Sequence, residues 1–171
     1  MTQLTQQRLH ELLDYDTASG VFLRRVSLSN RTPVGSVAGS VNSSDGYRYI
    51  LVDGKRYAAH RLAWLYITGQ WPDSLLDHID MDRTNNALCN LRQANKSTNG
   101  ANRGTNKNNT SGFKGVHYFR AGFVARIKVK RKYIHLGVFT TKEDAAKAYD
   151  IAALEHFGSF AITNRKLGLL S

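Results

Sequence analysis

Residues 75–102, LLDHIDMDRTNNALCNLRQANKSTNGAN, constrain the fold more than any other stretch of the chain. They open on two apolar residues and an Asp-His pair, Asp77-His78. A polar loop rich in turn formers follows, and the stretch closes on Asn90-Leu91-Arg92, Asn99 and Asn102. Successive side chains on a strand point to opposite faces. Asp77 and His78 therefore cannot both face one ligand from a regular strand. The strand must end or bend at His78, and the loop 79–90 must wrap back to hold it. An amide at Asn90, with two donors and an acceptor, suits the tying of such a loop.

The chemistry available to this set is phosphodiester hydrolysis with one divalent cation. Hard cations take oxygen ligands, often only one or two from protein, and Asp77 with the amide oxygen of Asn99 makes such a sparse set. A neighbouring imidazole can deprotonate an attacking water, because its unperturbed pKa lies close to working pH. The whole string resembles the HNH nuclease family, in particular its phage and intron-encoded homing endonucleases. Their signature is an Asp-His pair, a loop, Asn-Leu-Arg, and a later Asn or His. The resemblance implies a ββα-metal module of two short strands and a helix. It implies His78 as general base, Asp77 and Asn99 as metal ligands, and Asn90 as the brace of the catalytic loop. The expected cation is Mg²⁺, with Mn²⁺ as second choice.

The single cysteine, Cys89, excludes an internal disulfide and a Cys₄ zinc site, so zinc is not expected. At 171 residues there is room for one ordinary domain or two small ones. No apolar run approaches membrane-spanning length. The opening MTQLTQQRLHELL has no basic region followed by an apolar core. A non-secreted, cytoplasmic protein is expected, and the resemblance adds a phage or intron source. The net charge of +11 is unevenly spread: residues 1–99 hold 11 basic and 9 acidic side chains, residues 100–171 hold 13 and 4. Nine basic and no acidic residues lie between Asn102 and His135. That asymmetry points to a nucleic-acid or other anionic partner.

Ahead of the central stretch, Leu4, Leu9, Leu12 and Leu13 suit one side of a short helix capped at Thr2 or Thr5. The turn 14–20, DYDTASG, leads into a strand at Val21-Phe22-Leu23. This turn and apolar run also resemble the opening of HNH homing endonucleases, with a structural job. Residues 33–46 read as loop with a short strand. Residues 47–57 form the clearest hairpin, with Asp53-Gly54 as its two-residue turn. A helix follows from about Ala58, with Gly69 past its end and Pro72 just beyond. His60 and Arg61 on it are either a packing pair or active-site support, as a second imidazole and a phosphate-binding guanidinium. Asn95 can cap a helix carrying Asn99 and Asn102 on one face, which makes Asn102 a further support candidate.

Residues 103–112, RGTNKNNTSG, have the composition of a flexible basic joint. Three strand-like runs follow, 113–118, 123–129 and 133–139. In the middle run Phe123, Ala125, Ile127 and Val129 alternate with Val124, Arg126 and Lys128, so one face is apolar and the other largely basic. Thr140-Thr141-Lys142-Glu143 fits a capping box, opening a helix to Phe157 whose alanines allow close approach to the sheet. A ribbon with an exposed basic face can enter a major groove. The elements KGV, LGVF, AAKAYDIAAL and the closing Asn164 resemble the plant ethylene-response-factor (APETALA-type) DNA-binding domain over 113–164. The resemblance implies double-stranded DNA as partner, met by Lys114, His117, Arg120, Arg126, Lys128, Tyr133 and His135, with Lys130, Arg131 and Lys132 in a turn at the sheet's end. His117, Tyr133 and His135 stand where the plant domains often carry Arg or Trp, so the target sequence does not carry over.

The expected architecture is α+β: a nuclease module over 1–102, a linker over 103–112, and a three-stranded antiparallel sheet on one helix over 113–165. The expected function is site-selective, metal-dependent DNA cleavage. Two alternatives stand beside it, a DNA-binding regulator with an inactive nuclease half and a non-specific nuclease.

Overall fold

The computed structural model describes residues 3–27, 29 and 32–171. The chain divides into two compact units, Met1–Gln93 and Ala94–Ser171. The division falls before the Asn95 helix, so that helix and residues 103–112 group with the C-terminal sheet.

In the first unit, helix α1 (Gln6–Leu12) starts at Thr5, whose hydroxyl accepts the Arg8 N–H; Thr2 lies outside the described residues. Strand β1 (Leu13–Tyr15) pairs antiparallel with β2 (Phe22–Arg24), one residue beyond the expected run. A three-stranded sheet follows, β3 (Ser40–Val41), β4 (Arg48–Val52) and β5 (Lys55–Ala58), in sequence order. Asp53 and Gly54 both take positive φ, 46° and 75°, as a two-residue turn twisted to match its strands demands. Helix α2 (Ala59–Thr68) ends on Gly69 at φ 74°. Leu9, Leu13, Phe22, Ile50, Leu62 and Leu65 are fully buried at the centre of this unit. Two short strands, β6 (Leu75–His78) and β7 (Leu91–Ala94), pair with each other.

The second unit opens with helix α3 (Lys96–Ala101). Asn95 and Thr98 cap it reciprocally, each side chain bonding the other's backbone N–H. Strands β8 (Val116–Phe119), β9 (Gly122–Val129) and β10 (Lys132–Phe139) form an antiparallel sheet in the order β10-β9-β8. Helix α4 (Lys142–Phe157) covers one face. Its cap sits one residue later than the expected box: Thr141 accepts the Asp144 N–H and donates to the Asp144 carboxylate. Ala145, Ala146, Ala152 and Ala153 are buried against Ala125, Ile127 and Val116. Gly115, at φ 78°, lies where a Cβ would fall 1.9 Å from the Tyr149 ring. Only glycine lets the chain cross α4 at that height.

Residues 103–112 are not a featureless joint. Ser111 is buried and donates to the Val116 carbonyl at 2.8 Å, while Asn109 accepts the Gly112 N–H and donates to the Phe113 carbonyl. Asn164, fully buried, ties the chain beyond α4 to the segment just ahead of β8. Its amide accepts the Lys114 N–H at 2.6 Å and donates to the Lys114 carbonyl and to Asp150 Oδ1. Asn164→Ala leaves both backbone groups of Lys114 without these partners. Unmade buried bonds cost about 1–3 kcal/mol each, so a loss of roughly 3 kcal/mol is expected. Hydrogen exchange of the β9 amides measures it; protection equal to the parent's would mean that water replaces Asn164 at no cost.

Candidate functional site

Strand β6 ends at His78, and the chain turns at once: Met81, at φ 69°, donates its N–H to the His78 carbonyl. The loop returns to β7 through a 3-10 turn, Leu88–Asn90. Asn90 ties it with both amide donors and its oxygen. Its Oδ1 accepts the Asp80 N–H at 3.1 Å, and its Nδ2 donates to Asp80 Oδ1 and to the Asn85 carbonyl, each at 2.9 Å. Burial alone would raise the Asp80 carboxyl, yet bonds from Asn85, Asn90 and the Asp82 N–H hold it below the usual carboxylate range. The loop is thus a rigid frame.

His78 is 4% exposed inside that frame. Its Nε2 lies 3.2 Å from Asn86 Oδ1. Asn86 Nδ2 donates to the Thr84 carbonyl at 3.0 Å. Because that carbonyl can only accept, the Asn86 amide is fixed with its oxygen toward the ring. His78 must then carry its proton on Nε2, which leaves Nδ1 as the basic nitrogen. Asn86 is itself 1% exposed and held from behind. Tyr15 donates to its carbonyl at 2.7 Å, with burial pushing the phenol up to about 12 so that it stays a donor. Gly20, at φ 72°, lies where a Cβ would fall 2.2 Å from Ala87 N. The DYDTASG turn therefore clamps the backbone that carries Asn86.

Sequence reasoning placed Asn86 among turn residues and missed this role. The one available signal was a second amide adjacent to Asn85 in a loop that had to wrap onto His78.

His60 stands beside His78, with ring centroids 5.2 Å apart in an edge-on arrangement, and Tyr47 lies 5.1 Å and 5.8 Å from the two rings. Burial, then His78 and Arg61, push the His60 imidazole down to about 4. It is neutral at working pH and sets no positive charge next to His78. Arg61 has its guanidinium 5.6 Å from the centre of the Trp71 ring. Asp77 is 4% exposed, and Arg92 Nε donates to its Oδ2 at 2.9 Å, with Nη2 at the same distance. A buried carboxylate is a hard oxygen donor of the kind Mg²⁺ and Mn²⁺ take. Among the described residues no three or more His, Cys, Asp or Glu side chains gather as an ion cage, so any cation site here is sparse in such ligands.

Asn99 lies on α3 in the second unit. Asn102, three positions on, is the buried C-cap of this helix, with its N–H on the Thr98 carbonyl.

In the second unit the face of the sheet away from α4 carries His117, Arg126, Lys128, Tyr133 and His135, all exposed and in register: Tyr133 opposite Lys128, His135 opposite Arg126. The Tyr133 ring lies under two cations, Arg126 at 5.0 Å and Lys128 at 5.2 Å. Burial and Arg126 lower the His117 pKa. Arg120 occupies the β8–β9 turn at φ 52°, its guanidinium 5.3 Å from the Phe119 ring. Lys130 and Arg131 make the β9–β10 turn at φ 45° and 71°. Lys132 opens β10 opposite Val129, on the other face from Arg126, and is exposed at the sheet's end.

Lys114 needs correcting. Its ammonium is turned inward and donates to the carbonyls of Ala101, Arg103 and Ile162 at 2.6–2.9 Å. Burial lowers its pKa to about 8. It staples the unit together, because three backbone carbonyls converge on its ammonium, and it does not join the exposed cations of the sheet face. Among the described residues no helix is long and apolar enough to cross a membrane.

Residues 57–101 match the family model described as HNH endonuclease, and this part of the chain is an HNH endonuclease domain. The chain is 36% identical over 109 residues to an uncharacterized HNH endonuclease of Acanthamoeba polyphaga mimivirus, a match covering 62% of this chain and 56% of the viral protein. The other part of the chain is similar to plant proteins. One match is 38% identical over 81 residues to an ethylene-responsive transcription factor of Arabidopsis thaliana, covering 45% of this chain and 17% of the plant protein. Another is 40% identical over 73 residues to an AP2-like ethylene-responsive transcription factor of the same plant, covering 40% and 20%. The chain thus spans about half of the viral relative and a fifth or less of these plant relatives.

Proposed function

We propose that the HNH domain makes this protein a site-selective DNA endonuclease, with the C-terminal sheet supplying affinity and position on double-stranded DNA. The observation that carries the reading is the held imidazole. His78 sits at a strand end, its Nε2 on the fixed oxygen of Asn86, inside a loop tied by Asn90. Its Nδ1 takes the proton from a water that attacks phosphorus, and the Asn86 oxygen accepts the Nε2–H before and after that transfer. Asn86 thereby acts as a positioning residue that keeps the tautomer and the ring plane. By the motif, Asp77 and Asn99 would hold a divalent cation, Mg²⁺ before Mn²⁺. When bound there it supplies charge stabilisation at the phosphate and the leaving oxygen. Arg92 orients the Asp77 carboxylate. His60, neutral and packed on His78, supports the ring, and Arg61 and Asn102 are the further support candidates.

The test is incubation of the full chain with plasmid and with defined duplexes, with and without Mg²⁺. Cutting at preferred positions is expected, with complete loss in excess EDTA and in Asp77→Asn. Asp77→Ala is the poorer variant, since it strips the partner from a mostly buried guanidinium, a change that typically costs about 3–5 kcal/mol. Undiminished cutting in EDTA removes the metal from the mechanism. Binding without cutting favours the regulator, and cutting without preferred positions favours the non-specific nuclease.

A further inference from the structure

Strand β8 is half the length of β9. Its register runs from Phe119 opposite Gly122 to Val116 opposite Ala125, and one further bond, from the Arg126 N–H to the Gly115 carbonyl, ends the pairing. The chain then leaves the sheet. In an antiparallel ladder alternate residues turn their N–H and C=O to the same edge, so Lys128 presents its backbone to the edge on which Arg126 is bonded. No strand of the described residues lies along that edge beyond Gly115.

A groove of about 880 Å³ occupies this place, within the range of roughly 300–1,000 Å³ usual for ligand clefts. One wall is the sheet edge and its turn, with Arg126, Lys128, Lys130 and Arg131. α3 and the segment behind it, with Lys96 and Arg103, line the groove as well. Lys114 also lines it, but with its ammonium spent on backbone carbonyls, and among the described residues no acidic one lines the groove. Lys96 and Arg103 are exposed and belong to neither the sheet nor its turns.

We propose that this groove grips the sugar–phosphate backbone of one strand of the bound duplex, with Lys96 and Arg103 as phosphate contacts from the α3 side. The inference rests on the DNA-binding reading and adds a second surface to it. The sheet face carries the side chains that meet base edges, and the groove at its open edge takes phosphates. Phosphate contacts set register and orientation while carrying no sequence information. An acid-free lining with exposed cations from both the sheet edge and the α3 side fits a chain of negative charges better than a peptide strand, whose backbone would pair with β9 but leave those cations unanswered. The segment 103–112 is then part of the interface as well as a connection.

The experiment measures affinity of the full chain for a cognate duplex, one holding a preferred cut position, and for its scrambled counterpart across a salt series, in EDTA so that nothing is cut. The parent is compared with Lys96→Gln/Arg103→Gln and with Arg126→Gln. Losing phosphate contacts flattens the slope of log affinity against log salt by about 0.9 for each one. The double variant is expected to show that flattening, with weaker binding to cognate and scrambled duplexes alike. Arg126→Gln is expected to narrow the gap between those duplexes. A double variant with the parent's slope and affinity overturns the groove while leaving the sheet as reader, and a peptide-binding edge would give that result. A parent that binds no duplex overturns the DNA-binding reading itself, and the groove with it. Both substituted residues are exposed, and an unchanged circular dichroism spectrum accompanies any loss that counts.

Discussion

His78→Ala is expected to lower the cleavage rate by about 10²–10⁴-fold, the usual worth of a positioned general base, while affinity for duplex DNA stays at the parent's value. The separation follows from where the two jobs lie. The proposed base, His78, is held in the first unit by Asn86, and the exposed basic face belongs to the second. Asn86→Ala is expected to fall between parent and His78→Ala, with kcat reduced and KM unchanged, since the imidazole remains but its tautomer is no longer selected. A structural role alone would not move the nitrogen-15 shifts of His78. Loss of the Asn86 oxygen should move them, as Nε2 and Nδ1 begin to share the proton. If His78→Ala cuts at the parent's rate, another group activates the water. His60, with its ring centre 5.2 Å away, is the first to examine.

Gly20→Ala is expected to disable the site from a distance of 66 residues in sequence. Two costs add. Alanine at φ 72° is strained by about 1–2 kcal/mol, and its Cβ would fall within 2.2–2.3 Å of the backbone at Ala87 and Asn86. That backbone must move, taking the Asn86 amide off His78. The hairpin glycine supplies the control: Gly54 has φ 75° but open space around it, so Gly54→Ala isolates the conformational cost. Urea unfolding should show Gly20→Ala the less stable of the two by more than that cost. Its cleavage should drop while DNA affinity holds. Equal destabilisation of the two variants would mean that the contact between Gly20 and the 86–87 backbone carries no energy, and the clamp would have to be dropped.

Much of this protein could be read from local pattern. The alternation from Phe123 to Val129 marked both faces of the second sheet, and Asp53-Gly54 and Gly69 marked a turn and a helix end, because side-chain period and positive φ are properties of neighbours in sequence. The Asp-His pair forced a strand to stop at His78 for the same reason. The partners of buried polar groups are not local. Asn86 reads as one more turn residue until Tyr15, 71 positions away, and Thr84 hold its amide against His78. Lys114 reads as one more DNA-facing cation until three carbonyls from distant segments claim its ammonium. A buried donor or acceptor left unmade costs about 1–3 kcal/mol. The folded chain therefore settles such groups by whichever segment arrives beside them. Periodicity in the sequence determined which faces are buried, and only the tertiary structure decided which polar side chains are spent holding it together and which remain for chemistry.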